Sequence, residues 1–521
     1  MATAPVAAWA TVLLPNTGKI LVIERFAGGK VGTTHVYEFD YNALTFRALH
    51  VVTDIFCSGG FLLSDGRVVS FGGYTNDAQS GQALTGARIF TPSGAPGVPG
   101  TTDWFENAAK LALQVPRWYP TISALPDGRI IVVGGTTDVQ PPGVNQPSIE
   151  FFGATPQRPP QTLQFLIDSD GNNLYPFVLN VPAGGQIPAP GALAIFANNR
   201  IAYYDVTSTP GTLIELFRSS QVPIANPDIY GQRVYPLAGG LVTLPVVPDA
   251  NNVPLPMEIM ICGGSTNYNI NATAVDTCVR GFPQQGPNTA WTLEKMPTPR
   301  LFPDLVHLPD GTVLIINGAA KGWSGFAAAQ NPVTSALIYN SSAPAGNRFT
   351  VVATSPIARL YHSLAVLSPD GRVFVLGSTP NADSNINDFG PIWPDEYRIE
   401  AYVPAYKDYK GAKPSISAVT FDPNTYSWTY DQSYTVTAVI PSGNPANVKL
   451  NIITGGFITH ANHMGQNMVY LRVTNAVRST AANAPANTFV FTVRAPKSAW
   501  VALQGYYMLW VVENNMPCTV R

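Results

Sequence analysis

Apolar and polar positions along this chain follow two rhythms, and the change between them falls near residue 400. In the first part, short runs of β-branched and aliphatic residues each follow a turn and close on glycine. Val68-Val69-Ser70-Phe71 follows Ser64-Asp65-Gly66-Arg67 and ends on Gly72-Gly73. The order returns in Pro126-Asp127-Gly128-Arg129-Ile130-Ile131-Val132-Val133-Gly134-Gly135, in Pro309-Asp310-Gly311-Thr312-Val313-Leu314 and in Pro369-Asp370-Gly371-Arg372-Val373-Phe374. Looser copies stand at Leu14-Pro15-Asn16-Thr17-Gly18-Lys19-Ile20-Leu21-Val22-Ile23, at Asn199-Arg200-Ile201-Ala202-Tyr203 and at Glu258-Ile259-Met260-Ile261-Cys262-Gly263-Gly264. Apolar runs without alternation suit strands buried on both faces, and Asp-Gly ahead of them suits a tight hairpin. Units that cannot bury their faces alone, repeated every ~50 to 70 residues, have the period of kelch-type blades. Residues 1–400 are therefore predicted to form a seven-bladed kelch-like β-propeller.

Beyond that point the glycines stop and strict alternation begins. Ser433-Tyr434-Thr435-Val436-Thr437-Ala438-Val439 and Asn487-Thr488-Phe489-Val490-Phe491-Thr492-Val493 each put apolar side chains on one face of a strand. Residues 401–521 are predicted to be an immunoglobulin-like β-sandwich, with the break within Ala401–Ala412. The whole chain is expected to be all-β. Helical apolar spacing is confined to a short stretch at Trp104–Leu113.

Composition narrows the function. Hydrophobic residues make up 45% and charged residues 12%, and 30 Lys and Arg face 32 Asp and Glu. No basic stripe exists to release phosphate counterions, which argues against nucleic acid, and no basic patch suits an anionic membrane. No apolar run approaches the ~18 residues of a spanning helix. Met1–Trp9 lacks the basic and apolar regions of a signal peptide, while Asn271-Ala272-Thr273 and Asn340-Ser341-Ser342 are glycosylation acceptors. The expectation is the mature form of a secreted monomer, with a Met supplied for expression. Of the four cysteines, Cys262 and Cys278 are close enough in sequence for a disulfide, worth ~3 kcal/mol in the loop-entropy model. Cys518 is expected to be a free thiol.

A propeller is a scaffold, so the chemistry must come from side chains that different blades bring to one axis. Phe56-Cys57-Ser58-Gly59-Gly60, Pro116-Arg117-Trp118-Tyr119-Pro120 and Arg359-Leu360-Tyr361-His362-Ser363 stand at similar offsets before clean hairpins. Equivalent strands could thus bring a thiol, two phenols and an imidazole together. Taken singly, each has a plainer role: an inert buried thiol, packing tyrosines, a hydrogen-bonded core histidine.

Together with Thr459-His460-Ala461-Asn462-His463, Cys262-Gly263-Gly264-Ser265-Thr266 and Pro303-Asp304-Leu305-Val306-His307, these segments resemble the glyoxal oxidase branch of the copper-radical oxidases. Galactose oxidase is a more distant relative. The resemblance runs in order over nearly the whole chain. It implies one copper ion held by Tyr119, Tyr361, His362 and His460. It also implies a sulfur bond from Cys57 to the ring of Tyr119, giving a thioether-linked tyrosyl radical cofactor. Imidazole nitrogens and phenol oxygens suit Cu(II). Substrate oxidation removes two electrons, of which the metal takes one and the Cys57–Tyr119 pair the other. Tyr361 would be the general base. The partners implied are O2 and a small aldehyde, as its hydrate, or an α-hydroxy carbonyl, with carboxylic acid and H2O2 as products. The alternatives are a primary or aryl alcohol oxidase of the same family and a non-catalytic kelch-type binding module. A binding module has no need of the five-residue set.

Further expectations follow. Neighbours on a regular strand point to opposite faces, so Tyr361 and His362 can share a metal only if the backbone is irregular there. His463 is expected either to support a ligand or to lie on the surface; His307 should be structural, and His35 and His50 surface residues. Galactose oxidase carries an indole after the matching Gly-Gly, whereas here Thr136-Thr137 follows Gly134-Gly135. Galactose is therefore a poor substrate expectation. Trp118 is next to Tyr119 in sequence, which does not by itself place it over the ring.

Overall fold

Seven antiparallel sheets of the first 402 residues stand around one channel in the computed structural model, which describes residues 1–25, 35–77, 81–137, 144–153, 158–169, 173–208, 211–224, 232–381 and 393–518. Their inner strands are Ala10–Leu14, Gly59–Leu62, Thr121–Ala124, Phe177–Gly184, Gly240–Thr243, Asp304–His307 and Ser363–Leu367. Each sheet has four propeller strands, running outward from the channel. The seventh blade takes its outer strand from the N-terminus: Ala2 pairs with Ile399 and Thr3 with Arg398. The ring is closed by hydrogen bonds between the two ends of the propeller.

The predicted turns are where the Asp-Gly pairs stand. Gly66, Gly128, Gly311 and Gly371 all have φ near +90°, from 85° to 92°, a region open to glycine. Each closes the same loop, with its N–H on the carbonyl of Leu63, Leu125, Leu308 or Ser368. The apolar runs after these turns are second strands, and Lys19–Ile23 and Val373–Gly377 are buried at every position. The fourth blade departs from the expected register. Its second strand is the long Ile187–Ala197, so the weak repeat at Asn199–Tyr203 falls on the third strand, Arg200–Asp205. The hairpin ahead of that second strand turns at Gly185-Gln186, so no Asp-Gly pair marks it in the sequence.

A buried arginine clamps five blades. Arg88, Arg117, Arg233, Arg300 and Arg359 donate to the carbonyls of Gly72, Gly134, Gly263, Asn317 and Gly377, at 2.7 to 2.9 Å. In all but the second blade the arginine lies in the loop before the inner strand and its acceptor ends the second strand. The clamp therefore fixes the loop that faces the channel mouth. Arg117 also meets Glu150 at 2.9 Å, compensating its burial.

The last hundred residues form a seven-stranded antiparallel sheet that curls into a sandwich. Asn467–Arg478 crosses between its halves: Leu471 pairs with Leu450, and Arg472 pairs with Arg494. The alternation seen in the sequence has its cause here, since Tyr434, Val436 and Ala438 are buried on one face, as are Phe489, Phe491 and Val493. From this domain a hairpin, Phe457–Thr459 and Asn462–Met464, enters the propeller channel. Its first strand extends the first blade, with Thr459 opposite Ala10 and Phe457 opposite Val12.

Two expectations are corrected. Trp104–Leu113 is not helical: Trp104–Glu106 is the outer strand of the second blade and turns follow it, because that sheet edge needed a strand. His35 is buried rather than exposed, at the edge of the strand Val36–Asp40. Cys262 and Cys278 form the expected disulfide between neighbouring strands, and Cys518 is a buried free thiol. His50 is exposed, on Asp103. Asn271 and Asn340 are exposed as well.

Candidate metal centre

Cys57, Tyr119 and Tyr361 occupy one structural position in three blades, each two residues ahead of an inner strand. Tyr175 holds that position in the fourth blade and Phe302 in the sixth. The repeat thus sends one side chain per blade toward the channel mouth. Cys57, Tyr119 and His362 have φ of +53°, +58° and +69°. Residues with a β-carbon pay ~1–3 kcal/mol for that region, and they hold it here because the Arg clamps and strand starts leave the loop no alternative. His362 follows Tyr361 outside the strand that begins at Ser363, so the irregularity required by adjacent ligands is present. Their rings stack, with centroids 3.8 Å apart, and both face the same spot.

His460 comes from the other domain. It sits at the tip of the inserted hairpin, where His460 and Ala461 have φ of +51° and +61° and reverse the chain. Its Nε2 lies 3.0 Å from His362 Nε2, 3.2 Å from the Tyr361 hydroxyl and 3.8 Å from Cys57 Sγ. Among the described residues, Cys57, His362 and His460 are the group of three His, Cys, Asp or Glu side chains whose donor atoms gather within 4.8 Å. All five expected site residues are buried and assembled in one place.

The tautomer of His460 follows from its neighbours. The Thr459 hydroxyl donates its one proton to the Trp9 carbonyl at 3.0 Å, so it accepts from His460 Nδ1–H. Nε2 is left with a lone pair. Burial pushes the His460 pKa down to about 3, which keeps the ring neutral. His362 is likewise pushed down by burial and by His460, with its Nδ1 on the Thr379 hydroxyl. Burial raises the Cys57 thiol and the phenols of Tyr119 and Tyr361. A single lone pair therefore faces an imidazole, a phenol and a thiol, and it can accept from one of them.

Residues that the motifs did not supply complete the wall. Tyr235 places its hydroxyl 2.7 Å from that of Tyr361 and 3.3 Å from that of Tyr119. Tyr175 lies against His460, ring centroids 4.8 Å apart, and donates to the Ser58 carbonyl. A signal for Tyr235 was available: Arg233-Val234-Tyr235-Pro236 repeats the frame of Arg117-Trp118-Tyr119-Pro120. Trp118 covers Tyr119, with centroids 4.2 Å apart and planes at 31°. Its backbone exchanges two 2.8 Å hydrogen bonds with Thr136, the residue that follows Gly134-Gly135. The threonine thus anchors an indole supplied by the neighbouring loop.

His463 points away from the centre and is buried, with Nε2 2.8 Å from Asp304 Oδ1. His307 is buried on the inner strand of the sixth blade.

Residues 24–406 match the family described as Glyoxal oxidase N-terminus, and residues 413–521 match the Galactose oxidase-like, Early set domain. The chain belongs to the glyoxal oxidase family. The family is one of oxidoreductases. This glyoxal oxidase-family chain is 31% identical over 498 residues to the aldehyde oxidase GLOX of Vitis pseudoreticulata, covering 94% of this chain and 85% of that one. It is 35% identical over 510 residues to a WSC domain-containing protein of Arthroderma benhamiae. That alignment covers 96% of this chain and 49% of the other, so this chain spans about half the length of that relative. A fungal alcohol oxidase solved in complex with copper shares the fold, with a TM-score of 0.71 and 17% identity over 100% of this chain and 97% of that chain.

Proposed function

We propose that this chain is a copper-radical oxidase that converts small aldehydes, as their hydrates, and α-hydroxy carbonyls to carboxylic acids while reducing O2 to H2O2. The observation that carries the reading is the crowding of His362 Nε2, the Tyr361 hydroxyl and Cys57 Sγ around the single lone pair of His460 Nε2. Two neutral imidazoles and two phenols fit a cation that replaces those protons, and nitrogen and oxygen donors suit Cu(II). Tyr119, Tyr361, His362 and His460 would hold it. When bound, copper would take one of the two electrons that leave the substrate.

The other residues have defined work. Thr459 and Thr379 hold the remote ring nitrogens and so aim Nε2 of each histidine at the centre. Tyr361, once the bound cation has displaced its own proton, would take the substrate's hydroxyl proton as a phenolate. Cys57 and Tyr119 fit a thioether. Tyr119 N–H bonds the Cys57 carbonyl at 3.0 Å, and both side chains meet His460, whose Nε2 is 3.8 Å from Cys57 Sγ and whose ring centroid is 5.7 Å from that of Tyr119. In forming it, the S–H and one ring C–H break and an S–C bond forms. The two protons and two electrons pass to O2, giving H2O2. Phe56 and Phe326 stand beside His362, with ring centroids 5.7 and 5.5 Å from it, and the Arg25 guanidinium lies over both rings, 5.5 and 5.3 Å from their centroids. Primary alcohols are the second reading, supported by the same donor set. Exposed Asn271 and Asn340 and the Cys262–Cys278 disulfide support an extracellular location.

The test is peptide mass analysis after copper loading in air. A joined Cys57–Tyr119 peptide pair, lighter by two hydrogens and stable to reductant, is expected. Free peptides after full loading would overturn the enzyme reading and favour the binding module.

A further inference from the structure

Tyr235 belongs to no motif that the family resemblance supplied, yet its hydroxyl is the atom that joins the two phenols of the centre. It lies 2.7 Å from the Tyr361 oxygen and 3.3 Å from the Tyr119 oxygen. Its ring is 4.8 Å from that of Tyr119 and stacks on that of Tyr361 at 6.3 Å and 15°. It is buried, and its hydrogen bonds among the described residues go to those two phenols. A tyrosine placed for packing more often ends on a backbone carbonyl, as Tyr175 does on Ser58 and Tyr406 on Gly371. The fold itself asks for no hydroxyl in this frame, because Arg300-Leu301-Phe302-Pro303 fills the same four residues of the sixth blade with phenylalanine.

A phenol has one proton to donate. The Tyr235 hydroxyl is within reach of both the Tyr119 and the Tyr361 oxygens, so its proton is shared between two oxygens and can serve one at a time. We propose that Tyr235 is a positioning residue whose hydroxyl spaces the Tyr119 and Tyr361 oxygens and sets how readily the Cys57–Tyr119 pair gives up an electron. The inference rests on the oxidase reading above. A hydrogen bond stabilises whichever form of an oxygen carries more negative charge, and oxidation of Tyr119 removes charge from its oxygen. The donor therefore favours the reduced pair. Removing it makes the oxidised form easier to reach and weakens its drive to take hydrogen from substrate. In a desolvated pocket this effect is larger than it would be in water.

The experiment compares the copper-loaded full chain with Tyr235→Phe and with 3-fluorotyrosine placed at 235, which keeps the shape and strengthens the donor. The first readout is the joined Cys57–Tyr119 peptide, expected in all three. The second is the reduction potential of that pair, followed by its visible absorption during redox titration. It is expected to fall in Tyr235→Phe and rise with 3-fluorotyrosine. The third is steady-state kinetics, where Tyr235→Phe should lose at least tenfold in kcat with KM within threefold. Joined peptides with an unchanged potential, or with both variants shifted in one direction, overturn the inference and leave the oxidase reading intact. Absence of the joined peptide from the parent overturns that reading and this inference with it. Should Tyr235→Phe not fold, the fluorotyrosine shift alone decides.

Discussion

Gly60 lies so close to Phe457 that a β-carbon on it would stand 2.4 Å from the phenylalanine ring. Gly60 is on the inner strand of the second blade, and Phe457 begins the hairpin that carries His460. The missing side chain is thus what lets the second domain reach into the channel. Gly60→Ala should push the hairpin outward, at ~1–3 kcal/mol of stability for an overpacked contact. Thermal unfolding should show the loss, and copper titration of the metal-free protein should show weaker binding, since His460 moves with the hairpin.

On the far side of the same hairpin, Asp304 accepts hydrogen bonds from His463 Nε2 and Asn317 Nδ2, both at 2.8 Å. Asp304→Ala leaves two buried donors without an acceptor, at ~1–3 kcal/mol each. Denaturant unfolding should register that cost. Asp304→Asn, which keeps an oxygen for one of them, should be the milder change.

Thr459→Val removes the oxygen that accepts from His460 Nδ1–H. The ring is then free to turn and to change tautomer. Copper affinity should fall by about 10–100-fold, the usual cost of losing such a partner. Equilibrium dialysis of the metal-free protein measures it, and Thr459→Ser, which keeps the hydroxyl and both of its hydrogen bonds, should bind copper as the parent does.

Acid should weaken the fold through its buried histidines. Burial, with His463 nearby, pushes the His307 pKa down to about 3 from an ordinary 6.5. As pH falls from 6.5 to 3, the unfolded chain takes up a proton that the folded chain refuses. Stability is therefore lost through that window and is unaffected by this group above it. His307→Leu should flatten the slope by up to ~1.4 kcal/mol per pH unit. Urea midpoints at several pH values between 7 and 4 make the comparison.

Much of the centre was legible because the propeller is repetitive. Cys57, Tyr119 and Tyr361 stand at matching offsets, and a repeat that fixes strand and turn fixes where such a position points. The adjacency of Tyr361 and His362 even announced the irregular backbone seen before Ser363. Tyr235 was missed for a different reason. It lies five residues before its inner strand instead of two, so the shared offset does not mark it, although its Arg-x-Tyr-Pro frame stands in the sequence. His35 was misplaced because one histidine without a motif carries no period from which to read its burial.

The sequence by itself determined the architecture. Asp-Gly turns before non-alternating apolar runs dictate buried blade strands, and strict alternation after residue 414 dictates a one-sided sheet, because these patterns are local and recur. It also determined which residue types were on hand for the chemistry. Only the tertiary structure decided the contacts between separate segments: the close passage of the His460 hairpin at Gly60, the indole of Trp118 held by Thr136, and the phenol of Tyr235 between two others. Those contacts depend on where whole elements pack, and no spacing along the chain records which of them meet.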